Sequence, residues 1–193
     1  MGEVKNILLC GVGGQGTILT SKILTEGLIR AGYDVKMSEV HGMAQRGGSV
    51  STQVRYGEKV HSPLFGEGQA DVCVAFERME ALRYANYLKP QGIFIVNDYR
   101  MTPMSVAMGA VAYPENAIEA VSAAFEMIAV PAATVAAGLG NMRTMNVVLL
   151  GAIVRALGIE QLPGVDWEDV IASMIPEKLR AVNLEAFRAG LTF

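Results

Sequence analysis

The chain opens with an apolar strand pattern at 4–10 that stops at glycines, as a strand covered on both faces does. Ile18, Ile23, Leu24 and Leu28 then predict a helix running to about residue 31, with Gly32 as its stop. A second strand is predicted at 35–40. At 50–56, Val50, Thr52, Val54 and Tyr56 alternate with Ser51, Gln53 and Arg55, the pattern of a half-exposed strand. Too little chain separates these two strands for a full crossover helix, so antiparallel pairing is expected. Buried strands at 71–76 and 92–96 bracket a predicted helix at 78–88. A short strand at 110–113, a helix at 115–125 and a strand at 127–130 follow. Beyond Pro131 the pattern turns helical, with helices expected at 132–139, 144–157, 167–174 and 177–189. The expected fold is α/β: a three-layer α/β/α, Rossmann-like domain on a mostly parallel mixed sheet, with C-terminal helices from about residue 132. No repeat, low-complexity tract or linker interrupts it, so residues 1–193 are expected to form one domain.

Composition narrows the classes. A chain of 193 residues buries roughly 70% of its unfolded surface and needs no staples. It is 51% apolar, only 18% charged, and has a mean hydropathy of +0.32, which favours further burial against a partner. A net charge of −3 leaves no basic footprint for nucleic acid. No apolar run is long enough for a membrane span or a signal-peptide core, and the expected location is the cytoplasm. The two cysteines, Cys10 and Cys73, sit in apolar runs and read as buried core thiols. An iron–sulfur cluster takes about four thiolates, so this chain alone is not expected to hold one.

Gly11-Val12-Gly13-Gly14-Gln15-Gly16 follows a strand and opens a helix, the context a dinucleotide-type glycine loop requires. Its glycines allow a tight turn and close backbone approach, and the helix N-terminus offers free N–H groups to a phosphate or another anion. The alternative is that the glycines serve helix–sheet packing. Thr17 and Ile18 stand where a P-loop carries Lys and Ser/Thr, so P-loop nucleotide hydrolysis is not expected. Glu39 falls near the position of a ribose-binding acid.

The second unusual segment is Glu39-Val40-His41-Gly42-Met43-Ala44-Gln45-Arg46-Gly47-Gly48-Ser49-Val50. Arg46 beside Gly47 and Gly48 reads either as an anion clamp or as a partner for Glu39 or a carbonyl. His41 has no second His or carboxylate paired with it, and Ser49, Ser51 and Thr52 have no evident base, so no catalytic residue is assigned. Two glycine segments after neighbouring strands are expected at one sheet edge, where open α/β sheets bind ligands. The candidate binding residues are therefore Gly11, Gly13, Gly14, Gln15, Gly16, Arg46, Gly47 and Gly48. A protein interface would favour the same exposed backbone donors.

These two segments resemble the gamma-type subunit or domain of 2-oxoacid:ferredoxin oxidoreductases, and the second resembles the indolepyruvate branch of that family. The resemblance continues through Gly57-Glu58-Lys59-Val60, Ser62-Pro63-Leu64 and Glu80-Ala81-Leu82-Arg83-Tyr84. It returns with Gly140-Asn141, Asn146 and Leu150-Gly151-Ala152, and ends at Asn183, Ala186-Phe187 and Gly190. It implies an accessory subunit of an oxidoreductase that decarboxylates an arylpyruvate, forms the acyl-coenzyme A and passes electrons to ferredoxin. Thiamine diphosphate, magnesium and iron–sulfur clusters would lie on a large partner subunit, and coenzyme A could touch the glycine loops, with Arg46 and Gln15 as side-chain partners. A stand-alone nucleotide-binding protein and a purely structural interaction subunit are the alternative readings.

Overall fold

β1 (Lys5–Val12) has no free edge: β3 (Ser49–Gly57) pairs with it antiparallel on one side, and β4 (Ala70–Ala75) parallel on the other. That central place accounts for its apolar run, because Ile7, Leu8, Leu9 and Cys10 are all at most 1% exposed. The computed structural model describes residues 4–41 and 47–193. β2 (Asp34–His41), β5 (Leu88–Asn97) and β6 (Glu126–Val130) complete a six-stranded sheet in the order β2-β3-β1-β4-β5-β6. β3 is antiparallel to both of its neighbours, whereas β4, β5 and β6 run with β1. β3 is thus the one reversed strand, inserted between two that share a direction.

Alternate side chains serve two cores, as the two-residue period of a strand requires. Ile7 and Leu9 face one side with Val54, Val74 and Ile95. That layer is covered by α1 (Thr17–Arg30), α5 (Ala132–Gly138), α6 (Met145–Ala156), α7 (Trp167–Met174) and α8 (Glu177–Gly190). Leu8 and Cys10 face the other side, with Phe94 and Val96, beneath α2 (Arg78–Tyr84) and α4 (Ala117–Ala124). α6 is buried from Met145 through Val154, so its sequence shows no polar stripe. It lies so close to α8 that a Cβ on Gly190 would stand 2.0 Å from the Val148 carbonyl oxygen. The expected three-layer α/β fold is the one observed.

Cys10 and Cys73 are fully buried free thiols, and burial raises both well above an ordinary thiol pKa. No helix among the described residues is long and apolar enough to cross a membrane.

Two expectations are corrected. The strand predicted at 110–113 does not form; a short helix, α3 (Met104–Ala107), precedes a loop there. β6 already holds the sheet position beside β5, and only Tyr113 of the four residues is buried, its hydroxyl donating to Glu77. The helix predicted to reach residue 88 stops at Tyr84, passes through a 3-10 turn at Ala85–Tyr87, and gives way to β5 at Leu88, opposite Ala70.

Candidate functional site

The turn after β1 is built around Gln15. Its carboxamide oxygen accepts from the Val12 N–H at 2.7 Å, and its Nε2 donates to the Phe76 carbonyl at 3.1 Å. Both ends of the amide are therefore engaged inside the chain, and the side chain is 8% exposed. Gly11 belongs to the same packing, since a Cβ there would lie 2.9 Å from both Gln15 Oε1 and Phe76 Cβ. Gly14 (φ 103°) and Gly16 (φ 85°) adopt the left-handed backbone that favours glycine. Gly16 is the N-cap of α1, and no side chain caps the helix or places an acid in its first turn. The first amides of α1, with their partial positive charge, are left to an external acceptor.

The second glycine segment is bonded directly to the first. Gly13 donates to the Gly48 carbonyl at 2.8 Å, and Gly47 donates to the Gly13 carbonyl at 3.2 Å. These bonds extend the β1–β3 ladder past its last pair, Val12 with Ser49. The expected meeting of the two segments at one sheet edge is realised. Arg46 falls within 42–46, outside the described residues, so its expected role has no structural counterpart here.

A third element arrives from the C-terminal helices. Asn146, 3% exposed, directs Nδ2 to the Gly16 carbonyl at 3.4 Å, and Thr20 Oγ1 donates to the Asn146 carbonyl at 3.1 Å. The start of α6 thereby abuts the start of α1. Clefts open along the edge formed by the two glycine segments. One of about 630 Å³ runs along α1 past Gly14, Ile18 and Lys22. A second, of about 700 Å³, lies between Gly14, Gly47, Met101, Arg143 and Asn146. A third, of about 390 Å³, is bounded by Gly48, Ser49, Glu80, Arg83 and Met104. Lys22 and Arg143 form no ion pair among the described residues, so each brings an uncompensated positive charge to a cleft.

Two buried carboxylates hold this edge in shape. Glu77, 0% exposed, caps α2 by accepting from the Met79 and Glu80 amides at 2.6 and 3.2 Å. Its other oxygen accepts from the Met101 amide at 3.1 Å and from the Tyr113 hydroxyl. Glu80, 1% exposed, accepts from the Ser49 hydroxyl and from Arg83. Ser49 therefore has a carboxylate partner, one that its own sequence neighbourhood does not display. The contact fixes the start of β3, and hence Gly47 and Gly48, against α2.

Glu39 is not placed as a ribose-binding acid would be. It stands opposite Thr52, which stands opposite Leu9, so it is level with the middle of β1. Because β3 intervenes, it lies two strand spacings away, about 10 Å. Its Oε1 is buried with no hydrogen-bond partner among the described residues. His61 is exposed in the loop after β3.

Arg143, Asn146, Glu77 and Glu80 are the site residues that motif reasoning did not single out for a role. Arg143 lies in the 3-10 turn Met142–Thr144 that Asn141 caps, just ahead of the helix predicted at 144–157, and Asn146 lies in the first turn of that helix. Nothing local marked the carboxylates.

Comparison with known proteins accords with this geometry. The profile of the pyruvate ferredoxin/flavodoxin oxidoreductase family matches residues 6–193. The indolepyruvate oxidoreductase subunit IorB of Thermococcus kodakarensis is 41% identical over 96% of this chain and 94% of its own. That of Pyrococcus horikoshii is 40% identical with the same coverage. The 2-oxoglutarate synthase subunit KorC of Methanothermobacter thermautotrophicus is 27% identical over 96% of this chain and 93% of its own. Among solved structures, a keto/oxoacid ferredoxin oxidoreductase gamma subunit from Geobacter sulfurreducens superposes with a TM-score of 0.71 at 25% identity, covering 97% of this chain and 96% of that one. The 2-oxoglutarate:ferredoxin oxidoreductase of Magnetococcus marinus, solved with 2-oxoglutarate, coenzyme A and succinyl-CoA bound, has the same fold at TM-score 0.74 and 21% identity; the match covers 98% of this chain and 31% of that one. The chain belongs to the pyruvate ferredoxin/flavodoxin oxidoreductase family, as one of its gamma-type subunits.

Proposed function

We propose that this chain is the accessory subunit of an indolepyruvate-type 2-oxoacid:ferredoxin oxidoreductase, acting in the cytoplasm with residues 1–193 as one gamma-type domain. The observation that carries the substrate branch is the difference in identity at equal coverage: 41% and 40% to indolepyruvate oxidoreductase subunits against 27% to a 2-oxoglutarate synthase subunit. In this reading a larger partner holds thiamine diphosphate, magnesium and iron–sulfur clusters, and ferredoxin takes the electrons. None of this chain's residues makes or breaks a bond.

Its contribution is to hold coenzyme A, the acyl acceptor, at the glycine edge. Coenzyme A carries a diphosphate, and three features suit one: the uncapped amides of α1, the open space above Gly14, and the charges of Lys22 and Arg143, unpaired among the described residues. Gly14, Gly16, Gly47 and Gly48 would present backbone to the ligand, with Arg46 as a further cation, while Gly13, whose N–H and carbonyl are both bonded to the second segment, would hold the two loops together. Gln15 and Gly11 would act indirectly, by fixing the loop.

The test is arylpyruvate-dependent viologen reduction with coenzyme A present, comparing this chain, the larger subunit and their mixture. Activity only in the mixture, with indolepyruvate preferred over pyruvate and 2-oxoglutarate, is the expected result. Preference for 2-oxoglutarate would overturn the substrate branch. In the active mixture Arg143→Ala should raise the KM for coenzyme A roughly tenfold or more, from loss of a charge-assisted contact. An unchanged KM would remove Arg143 from the subsite.

A further inference from the structure

The segment between β5 and α4 carries apolar side chains that nothing in the described chain covers. Met101 is 37% exposed, Met104 73%, Met108 76% and Val111 55%, and Met142 of the neighbouring turn is 46% exposed. Single exposed apolar residues are ordinary, but these adjoin one another. Met101 shares one cleft with Met142 and another with Met104. Met108 follows directly on α3, and the Ala110 amide donates back to the Ser105 carbonyl, keeping Val111 beside that helix.

The base of the segment is firmly held. Glu77 accepts from the Met101 amide and from Tyr113, Arg78 pairs with Asp98, and Arg100 lies 4.2 Å over the Tyr113 ring. A rooted loop with an uncovered methionine tip is a built surface, not a frayed one. Methionine is enriched at interface cores, where its unbranched, polarisable side chain adapts to a partner.

We propose that the methionine apron formed by Met101, Met104, Met108, Val111 and Met142 is the surface on which the larger, cofactor-bearing subunit docks, and that this docking roofs the cleft beside the glycine loops. The inference rests on the subunit reading above. Two observations favour that occupant over a second copy of this chain. In the Magnetococcus enzyme the same fold is 31% of a longer polypeptide, so there it is permanently attached to more protein. The apron is also continuous with the cleft at the glycine edge through Met101 and Met142, so its occupant must border the coenzyme A subsite.

The experiment uses both co-purified subunits and measures their dissociation constant for wild type, Met104→Glu, Met108→Glu and the control Leu64→Glu. Leu64 is 57% exposed in the loop after β3, at the opposite end of the sheet. Circular dichroism confirms that each variant is folded. The apron variants should weaken association at least tenfold, and Leu64→Glu should leave it within twofold. Apron variants that bind like wild type overturn the docking assignment alone. So does an isolated chain that dimerises through the apron, with variants that lose the dimer yet keep the larger subunit. A wild-type chain that forms no complex with the larger subunit overturns the subunit reading, and this assignment with it.

Discussion

Gly14 and Gly16 share a left-handed backbone but not a neighbourhood, and alanine substitution separates the two effects. At Gly14 an added Cβ meets nothing within 4 Å, so Gly14→Ala carries backbone strain alone, about 1–2 kcal/mol. At Gly16 the same Cβ would lie 2.8 Å from Asn146 Nδ2, 3.0 Å from its Cγ and 3.1 Å from its Cβ. Asn146 is 3% exposed and cannot swing away, so the start of α6 must retreat from α1. Overpacking of this kind adds about 1–3 kcal/mol to the strain. For a domain of this size 1 kcal/mol moves Tm by roughly 2–4 °C. Gly14→Ala should thus lower Tm by roughly 2–8 °C, and Gly16→Ala by roughly 4–20 °C. Thermal and urea denaturation followed by circular dichroism measure both. In the assembled enzyme the order should invert for ligand handling: Gly14→Ala, whose methyl enters the open cleft, should raise the coenzyme A KM with little loss of fold. Equal Tm values for the two variants, or a larger loss at Gly14, would refute the packing argument.

Three other perturbations test separate parts of the structure. In Gly151→Ala a Cβ would stand 2.3 Å from the Phe187 carbonyl oxygen, forcing α6 and α8 apart; a loss of about 3 kcal/mol or more in urea denaturation is expected. Asp71 is desolvated, which raises its pKa, but bonds from Lys89 and the Asn6 amide outweigh this and leave the carboxyl below its usual range. A depressed folded pKa means stability present above the unfolded value and lost as pH falls through the folded one, so the acid limb should steepen below about pH 3.9. Asp71→Asn should flatten that limb and cost about 1–2 kcal/mol at neutral pH. Burial pushes the Tyr56 hydroxyl up to about 12. Its contribution is complete below the unfolded value of about 10 and is lost as pH rises towards 12, so Tyr56→Phe should shift alkaline unfolding upward.

The alternation of strand and helix was legible because each element carries its own period, and the short connection between 40 and 50 correctly excluded a crossover. Strand order was not legible. Nothing in the pattern of β3 says that it pairs with β1 as well as β2, and that pairing moves Glu39 away from a ribose position. The buried carboxylates were hidden for a related reason. Glu77 and Glu80 fall at the junction of the strand predicted at 71–76 and the helix predicted at 78–88, and the partners that hold them come from residues 49, 101 and 113. Val111 misled in the opposite direction, since a β-branched residue in an apolar run signalled a strand where the sheet has no vacant position beside β5.

The reversed strand also gives the glycine motif surroundings different from those in an ordinary dinucleotide fold. In the doubly wound arrangement the strand beside β1 ends at the glycine loop and can offer an acid to a ribose. β3 begins there instead, so what stands beside Gly13 is a pair of backbone glycines, Gly47 and Gly48, already hydrogen-bonded to it. The edge loses a ribose-directed carboxylate and gains exposed backbone at Gly47. What remains at this edge are the α1 amides, Lys22 and Arg143, with no acid in the first turn of α1 to oppose a negative charge. Such an edge is suited to a diphosphate on a long flexible carrier. It is also open towards the methionine apron, so the proposed coenzyme A subsite and the proposed docking surface stand or fall on neighbouring residues, Met101 and Met142.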